Sequence, residues 1–548
     1  MPNILLILAD DMGVESVSTY GLTPNAPSCP NLDALAAEGI LFRTAWSYPA
    51  CSPTRAALQT GRYGFRTGVG TIITETFSVG YGLQLSEVTL PKMLDQGTGL
   101  AYAHGAFGKW HLGTLDTGGN LAPNLTGYSH FAGSLTNLRD GNDYFQWTRV
   151  VDGVEEVTTN YATSDVVDST LSFIGSVQEP WFCQVNFHSA HTPFHAPPAE
   201  LHNYVLDQNS GPREQYEAMV QTLDTELGRL LAGLGPDYLD DTFVIFMGDN
   251  GTPGLVGDAA YPTAGLKGTV YEGGMHVPFI VAGPPVGWQG ESQELVSVVD
   301  VFKTIADVAG IDLATEYPGL PIDGVSLAPH LQNPSRKTTR FLFTERFAPN
   351  GPGGPIPDPP CPDPLVPVCQ NDVGFQGPGN LSLTMCGNPL YGATAVPLRL
   401  DGAPPGALSF LGRGPAINPV PYRGGIIAPY PPDAFIIGFA DENGSIVRDI
   451  QSYTVPFTTY FQAVCLDPST PEGVAFSNVV EAVTGPTHLQ AARDSRYKLI
   501  VNVPVCLEEF YDLENDPGEQ IDLLELGPLG TEALMHYEEL KAFLDSLH

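Results

Sequence analysis

Between residues 51 and 62 the chain reads Cys-Ser-Pro-Thr-Arg-Ala-Ala-Leu-Gln-Thr-Gly-Arg. Helical spacing puts Cys51 and Arg55, four residues apart, on one face, a reactive group beside a fixed cation. Backbone N–H groups at the start of such a helix add a positive end suited to an oxyanion. The same spacing also describes a half-buried structural cysteine beside a solvated arginine, the commoner situation for a lone cysteine.

Four other stretches carry candidate chemistry. Asp10-Asp11 ends one apolar run and Asp249-Asn250 ends another. Adjacent buried carboxylates repel unless a cation sits between them. Three carboxylates and an amide oxygen, with no thiolate or imidazole cluster, describe a hard-cation site, and an all-protein oxygen cage suits calcium better than magnesium. A single Asp-Asp pair is more often a turn or helix cap; the second oxygen cluster favours the metal. Gly108-Lys109-Trp110-His111-Leu112-Gly113 sets a cation and an imidazole two residues apart, between glycines that let backbone approach a ligand. His188-Ser189-Ala190-His191-Thr192-Pro193-Phe194-His195 holds three candidate histidines, and Gly265-Leu266-Lys267-Gly268-Thr269 a further cation. Lysine is scarce, seven residues in all, and finding Lys109 and Lys267 inside glycine-rich motifs does not fit surface solvation.

These residues need a frame. Residues 3–9, 181–187, 242–247 and 278–282 are apolar, often β-branched runs of strand length, and residues 31–38, 213–234 and 298–309 have helical periodicity. Strands apolar on both faces, alternating with helices, predict a mostly parallel or mixed α/β sheet sandwiched by helices. Ligands of such sheets bind beyond the carboxyl ends of the strands. Asp10-Asp11, His188 to His195 and Gly248-Asp249-Asn250-Gly251 all fall there. Residues 348–432 turn Pro- and Gly-rich with little periodicity, which reads as an insertion over the sheet edge or the site mouth. A smaller C-terminal β-rich subdomain is expected from about residue 490, with a strand at 497–501, a turn at Asp516-Pro517-Gly518 and a closing helix at 531–547. The expected division is 1–347 for the catalytic domain, 348–488 for the insertion and connecting region, and 489–548 for the small antiparallel-sheet subdomain.

Composition bounds the partners. The 548 residues exceed the roughly 250–300 at which single cores stop growing. With 24 Lys and Arg against 61 Asp and Glu the formal charge is −37, which repels nucleic acid and anionic membranes. An anionic substrate then needs a local cluster of cations, or must be small. No apolar run is long enough to span a bilayer. Residues 4–9 lack a basic leader and a cleavage site and read as a buried strand. The chain as given therefore reads as cytoplasmic, and a periplasmic or secreted protein whose leader has been removed fits equally. Of the eight cysteines, Cys361, Cys369 and Cys386 lie in the Pro/Gly-rich stretch, where a disulfide would mildly favour an oxidising compartment.

The 51–62 string resembles the sulfatase signature, Cys-x-Pro-x-Arg followed by a helix and Thr-Gly-Arg. The chain is similar to the formylglycine-dependent, arylsulfatase-like sulfatases of the alkaline phosphatase-like superfamily from residue 3 to about 345, and again over 494–523, where Tyr511-Asp512-Leu513-Glu514-Asn515-Asp516-Pro517 looks like the C-terminal tract. Residues 108–113 resemble the second signature, departing upstream at Ala101 and His104, which should support a helix or turn. By register with the family's His-Thr-Pro pattern, His191 is the sulfate or leaving-group contact, with His188 and His195 structural or in the pocket wall. Lys267 falls in the third basic element.

The resemblance implies a catalytic set of Cys51, Arg55, Lys109, His111, His191 and Lys267. It also implies a metal set of Asp10, Asp11, Cys51, Asp249 and Asn250, holding Ca2+ rather than Mg2+. Cys51 would be oxidised to formylglycine by a formylglycine-generating enzyme. One oxygen of the aldehyde hydrate would attack sulfur, with Asp249 able to take its proton, while Arg55, Lys109 and Lys267 balance charge on the sulfuryl oxygens. Lys267 or His191 would protonate the departing alkoxide, and His111 would deprotonate the remaining hydroxyl to expel sulfate. The implied substrate is an aryl or carbohydrate sulfate monoester, a small molecule or a saccharide. The alternatives are a phosphonate or phosphate ester hydrolase using the same formylglycine, and a non-catalytic sulfoglycan-binding homologue whose Cys51 stays a thiol.

Overall fold

The computed structural model describes the chain apart from residues 74–79, 98–101, 139–140, 259, 262–264, 338–339, 356–367, 376, 388–394, 415–416, 418, 430–433, 452–457, 484–486, 504–505 and 548. Ala101 and the expected pairing among Cys361, Cys369 and Cys386 lie outside the described residues and side chains. Cys29, Cys51, Cys183 and Cys465 are free, and Cys506 is disulfide-bonded.

Ten strands make the main sheet: β1 (Asn3–Ala9), β2 (Gly39–Trp46), β3 (Ala103–Lys109), β4 (His130–Ser134), β5 (Trp147–Val151), β6 (Val154–Thr158), β7 (Trp181–Asn186), β8 (Thr242–Gly248), β9 (Phe279–Ala282) and β10 (Gly290–Ser297). Their order is β10-β2-β9-β8-β1-β7-β3-β4-β5-β6. β8, β1, β7, β3 and β4 run parallel, so their carboxyl ends form one rim. β9 is antiparallel to both neighbours, and β5 and β6 close the far edge antiparallel. The sheet is therefore mixed, because an apolar run such as Phe279–Ala282 encodes burial and not direction.

β1 is apolar at every position but Asn3 because both of its faces are covered. Ile4, Leu6 and Leu8 join one core with Ala56, Leu58 and Phe302, while Leu5, Ile7 and Ala9 join the opposite core with Leu32, Val166 and Leu223. Helices Cys51–Thr60, Leu90–Gly97 and Asp300–Val308 cover the first face; Pro30–Ala37, Ala162–Ile174 and Pro212–Gly233 cover the second. At roughly 25 cal/mol per Å² of apolar area, these two cores are the main source of stability. His104 lies within β3 rather than in the helix or turn expected, and bonds Asp95 at 2.7 Å.

The stretch expected to lack periodicity is β-structured. Its described residues form a four-stranded sheet that includes Ser382–Gly387, Ala395–Asp401 and Ile446–Gln451, and a five-stranded sheet that includes Leu408–Gly414, Thr458–Leu466 and Val474–Val483. Leu383, Leu398, Leu400, Phe461 and Val480 fill a separate core. The ends of this insertion are neighbours, since β11 (Leu342–Ala348) pairs with Thr487–Arg493 so that Ala348 faces Thr487. The C-terminal sheet thus takes its edge strand from ahead of the insertion. It continues through Tyr497–Asn502 and Leu507–Asp512 and packs under the helix Thr531–Ser546. No helix among the described residues is long and apolar enough to cross a membrane.

Candidate active site

Most of the chemical groups stand where a strand or helix ends, and Lys267 comes from the loop between β8 and the helix Glu272–Met275. β1 delivers Asp10 and Asp11, β8 delivers Asp249 and Asn250, β3 ends on Lys109, and β7 leads into the histidine segment. Four adjacent parallel strands thus present their ends together. After β2, the helix Cys51–Thr60 starts at the same place, capped by extended Ala50. The ladder continues past the strands: Asp10 N donates to Ser189 O at 2.9 Å, and Asp249 N to Ala9 O at 2.9 Å.

Cys51 is buried at the centre. Its Sγ lies 3.5 Å from Asp10 Oδ1, 3.4 Å from Lys109 Nζ and 3.6 Å from Lys267 Nζ. Lys109 Nζ also donates to Asp10 Oδ2 at 2.5 Å, and Lys267 Nζ to Asp11 Oδ1. Arg55, one helical turn beyond Cys51, donates to Asp249 Oδ2 through Nη2 at 2.7 Å and to Lys109 O through Nη1 at 2.8 Å. Arg55 and Lys109 are each 1% exposed, which rules out surface solvation as their role. His191 Nε2 lies 3.8 Å from Asp11 Oδ2.

The cations set the ionisation of the carboxylates. Burial alone raises a carboxyl. At Asp10 that rise is outweighed chiefly by Lys109, and at Asp11 by Lys267, so both are held below the ordinary value. Asp249 stays above it, raised by burial and by Asp10 against the pull of Arg55. Burial, with Asp249, pushes the Cys51 thiol up to about 12. Lys267 is raised because Asp11 overrides burial, and it remains a fixed cation. Burial, with Lys109 and Arg55, keeps the His111 imidazole well below its ordinary range, and its Nδ1 is buried without a partner.

Two site residues hold strained backbone. Asp11 and His111 adopt φ of +59° and +60°, a region that non-glycine residues occupy at a cost of about 1–3 kcal/mol. Tyr216 OH donates to Asp11 O at 2.9 Å, Asp11 N donates to Asp249 Oδ1 at 3.1 Å, and Ser52 Oγ donates to His111 O at 2.9 Å. Thr252 accepts from Lys267 N at 3.0 Å through its carbonyl and from Gly13 N at 3.3 Å through its hydroxyl. Reading motifs alone missed Ser52, Tyr216 and Thr252. Ser52 and Thr252 adjoin motif residues, whereas Tyr216 leaves no local signal on its helix.

His188 and His195 point elsewhere. His188 Nε2 bonds Ser134 Oγ at 2.8 Å, and His195 Nε2 bonds Tyr161 OH at 3.0 Å. The Asp10, Asp11 and Asp249 carboxylates and Cys51 Sγ lie within 4.8 Å of one another. Asn250 Oδ1 is buried with no donor. A compact oxygen-rich set with an orphaned amide oxygen and a carboxyl still pushed upward suits a hard divalent cation. Arg55, Lys109 and Lys267 balance the three carboxylates, so such an ion would leave the pocket positive and ready for an anion.

A family model described as Sulfatase matches residues 2–311. The chain is 34% identical over 381 residues to N-acetylgalactosamine-6-sulfatase of Sus scrofa, covering 63% of this chain and 68% of that one. It is 32% identical over 378 residues to arylsulfatase A of Bos taurus, covering 62% and 70%. Among solved structures, Ps i-CgsB in complex with k-i-k-neocarrahexaose superposes with a TM-score of 0.62 at 19% identity, over 99% of this chain and 92% of that one. BT4656 in complex with D-glucosamine-2-N,6-O-disulfate gives 0.57 at 17% identity, over 100% and 97%. At these identities the superpositions establish a shared fold.

Proposed function

The chain belongs to the sulfatase family and is a sulfuric ester hydrolase, and we propose that it cleaves a saccharide sulfate monoester at Cys51 after that residue has been oxidised to formylglycine. The observation that carries this reading is the convergence of Lys109 and Lys267 on Cys51 Sγ, at 3.4 and 3.6 Å, beside Asp10. A thiol pushed up to about 12 is not a thiolate at neutral pH, and unmodified it lacks a second labile oxygen. The hydrated aldehyde supplies both a hydroxyl to attack sulfur and another whose deprotonation releases sulfate. Maturation requires a formylglycine-generating enzyme.

Asp10, Asp11, Asp249 and Asn250 would hold a divalent cation, calcium by the all-oxygen character of their side chains, with the modified Cys51 beside it. When bound, that ion orients the sulfate and acidifies the hydrate. Arg55, Lys109 and Lys267 form a preorganised cationic cage in which charge developing on the sulfuryl oxygens is stabilised without reorganisation. Asp249, within 4.8 Å of Cys51 Sγ, would accept the nucleophile's proton. Lys267 is pinned to Asp11 and raised, which suits a fixed charge better than a proton donor, so the leaving oxygen's proton falls to His191. His111, neutral and with an unpartnered Nδ1, is the base for the second half-reaction.

The saccharide assignment is supported by the substrates named for the relatives, a sulfated N-acetylgalactosamine for one curated protein and a disulfated glucosamine for one solved complex. Sulfate release from a panel of aryl and saccharide sulfates, against matched phosphate esters, tests the reading. Turnover of a saccharide sulfate that disappears in Cys51→Ala is expected; a large preference for the phosphates would overturn it.

A further inference from the structure

Arg346 stands near the end of β11 and is half-buried, yet it meets no carboxylate among the described residues. Its Nη1 donates to Gly268 O. Its Nε is buried without an acceptor, and Nη2 makes no hydrogen bond among the described residues. The other deeply placed arginines contrast with it. Arg55 meets Asp249 at 2.7 Å, Arg340 meets Asp300 at 2.6 Å and Arg493 meets Glu272 at 3.2 Å. In a chain with 61 acidic residues and 24 basic ones, a guanidinium left with one carbonyl is not short of carboxylates by composition. Taking a cation out of water without a counter-charge is costly, and burial lowers the proton affinity of this guanidinium with no carboxylate to offset it.

Its position gives the omission a purpose. Gly268 follows Lys267, whose Nζ reaches Cys51 Sγ and Asp11, and Gly268 N donates to Pro49 O, two residues before Cys51. Arg346 therefore rests on the same loop that sets one wall of the sulfate cage. Because Nη1 is occupied by Gly268 and Nε is enclosed, the hydrogen-bonding capacity left for a ligand lies on Nη2, which would meet one oxygen of an oxyanion.

We propose that Arg346 is a specificity residue that binds a second anionic group, a sulfate or a carboxylate, on the alcohol half of the sulfate ester seated at Cys51. The assignment rests on the sulfatase reading above and narrows it: the favoured saccharide carries another negative charge besides the scissile sulfate. It also explains how a protein of net charge −37 takes a multiply charged substrate, since each anionic group meets its own local cation.

The test compares wild type with Arg346→Met and Arg346→Lys on four sulfate esters: an aryl sulfate, a neutral monosulfated hexose, a disulfated hexosamine and a sulfated uronate. For Arg346→Met, kcat/KM should fall tenfold to a hundredfold on a substrate with a second anion. It should stay within about threefold on the aryl and neutral-sugar sulfates, and Arg346→Lys should recover part of the loss. A loss confined to the uronate identifies a carboxylate, and one confined to the disulfated sugar a sulfate. An equal loss on all four esters would show that Arg346 only props the Gly268 loop, and no loss on any would show that it is idle; either result overturns the proposal. Calorimetric binding of the disulfated sugar and the uronate to unmatured protein, whose Cys51 is still a thiol, separates the two readings. If wild type hydrolyses no sulfate ester, the sulfatase reading fails, and the proposal then stands or falls on whether Arg346→Met weakens this binding at least tenfold.

Discussion

Lys109 Nζ and Cys51 Sγ lie 3.4 Å apart, although one ends a central strand and the other begins a helix. The contact joins nucleophile position and cation directly, and Lys109 keeps Asp10 ionised from the same place. Lys109→Ala should therefore lower kcat by 10²–10³-fold, the range for losing one preorganised transition-state contact, with a smaller effect on KM. The variant should also be less stable by about 3–5 kcal/mol, because Asp10 is left buried without its partner. Steady-state kinetics and denaturant melts check both, and unchanged kcat would remove Lys109 from the reaction.

His191 is assigned to the leaving oxygen, and the need for a proton there depends on the alcohol. His191→Ala should slow hydrolysis of a saccharide sulfate, whose alkoxide is a poor leaving group, by 10²-fold or more, within the usual range for general acid catalysis. A nitrophenyl sulfate should lose only a few-fold. Equal losses on the two substrates would assign His191 to binding rather than to proton transfer.

Chelation followed by gel filtration should abolish sulfate release and lower the melting temperature, since Asp10, Asp11 and Asp249 crowd within one cluster. Calcium should restore both, and magnesium less well, because three carboxylates and an amide are more protein ligands than magnesium usually takes in place of its waters. Full activity in thoroughly metal-free protein would contradict the cation's role.

Glu15 is a buried carboxylate four residues beyond Asp11, and burial raises it to about 7. A carboxyl raised on folding binds its proton more tightly in the native state. Its contribution is fully present below the unfolded value near 4.5 and is lost as pH rises through 7. Glu15→Gln should melt at the same temperature as wild type near pH 4 and several degrees higher at pH 8, an advantage approaching about 3 kcal/mol. A difference in melting temperature that does not change with pH would refute this. The buried imidazoles of His111 and His188 act with the opposite sign: both are held well below their ordinary value, first by burial. They favour the native state above pH 6.5, and that preference is lost as pH falls.

Much of the site was legible because its residues sit where regular elements stop. Asp10-Asp11 closes an apolar strand, Asp249-Asn250 closes another, and Cys51 opens a helix with Arg55 on the same face. The order of strands, which brings those ends together, was not legible, since an apolar run carries no information about its neighbours or direction. The β-sandwich of the insertion was overlooked although Leu383, Met385, Leu398 and Leu400 alternate with polar residues and are buried; surrounding Pro and Gly masked that period of two. Tyr216 lies outside every motif, and only the fold carries it to Asp11.

On the proposed reading, Cys51 works as an aldehyde hydrate among three fixed cations. Peptide mass spectrometry of the 51–62 segment, taken on protein before and after treatment with a formylglycine-generating enzyme and paired with sulfate release from the same samples, tests it directly. Turnover rising in proportion to the fraction of Cys51 converted to formylglycine is the expected result. Undiminished hydrolysis by protein whose Cys51 is wholly thiol would overturn the role of formylglycine.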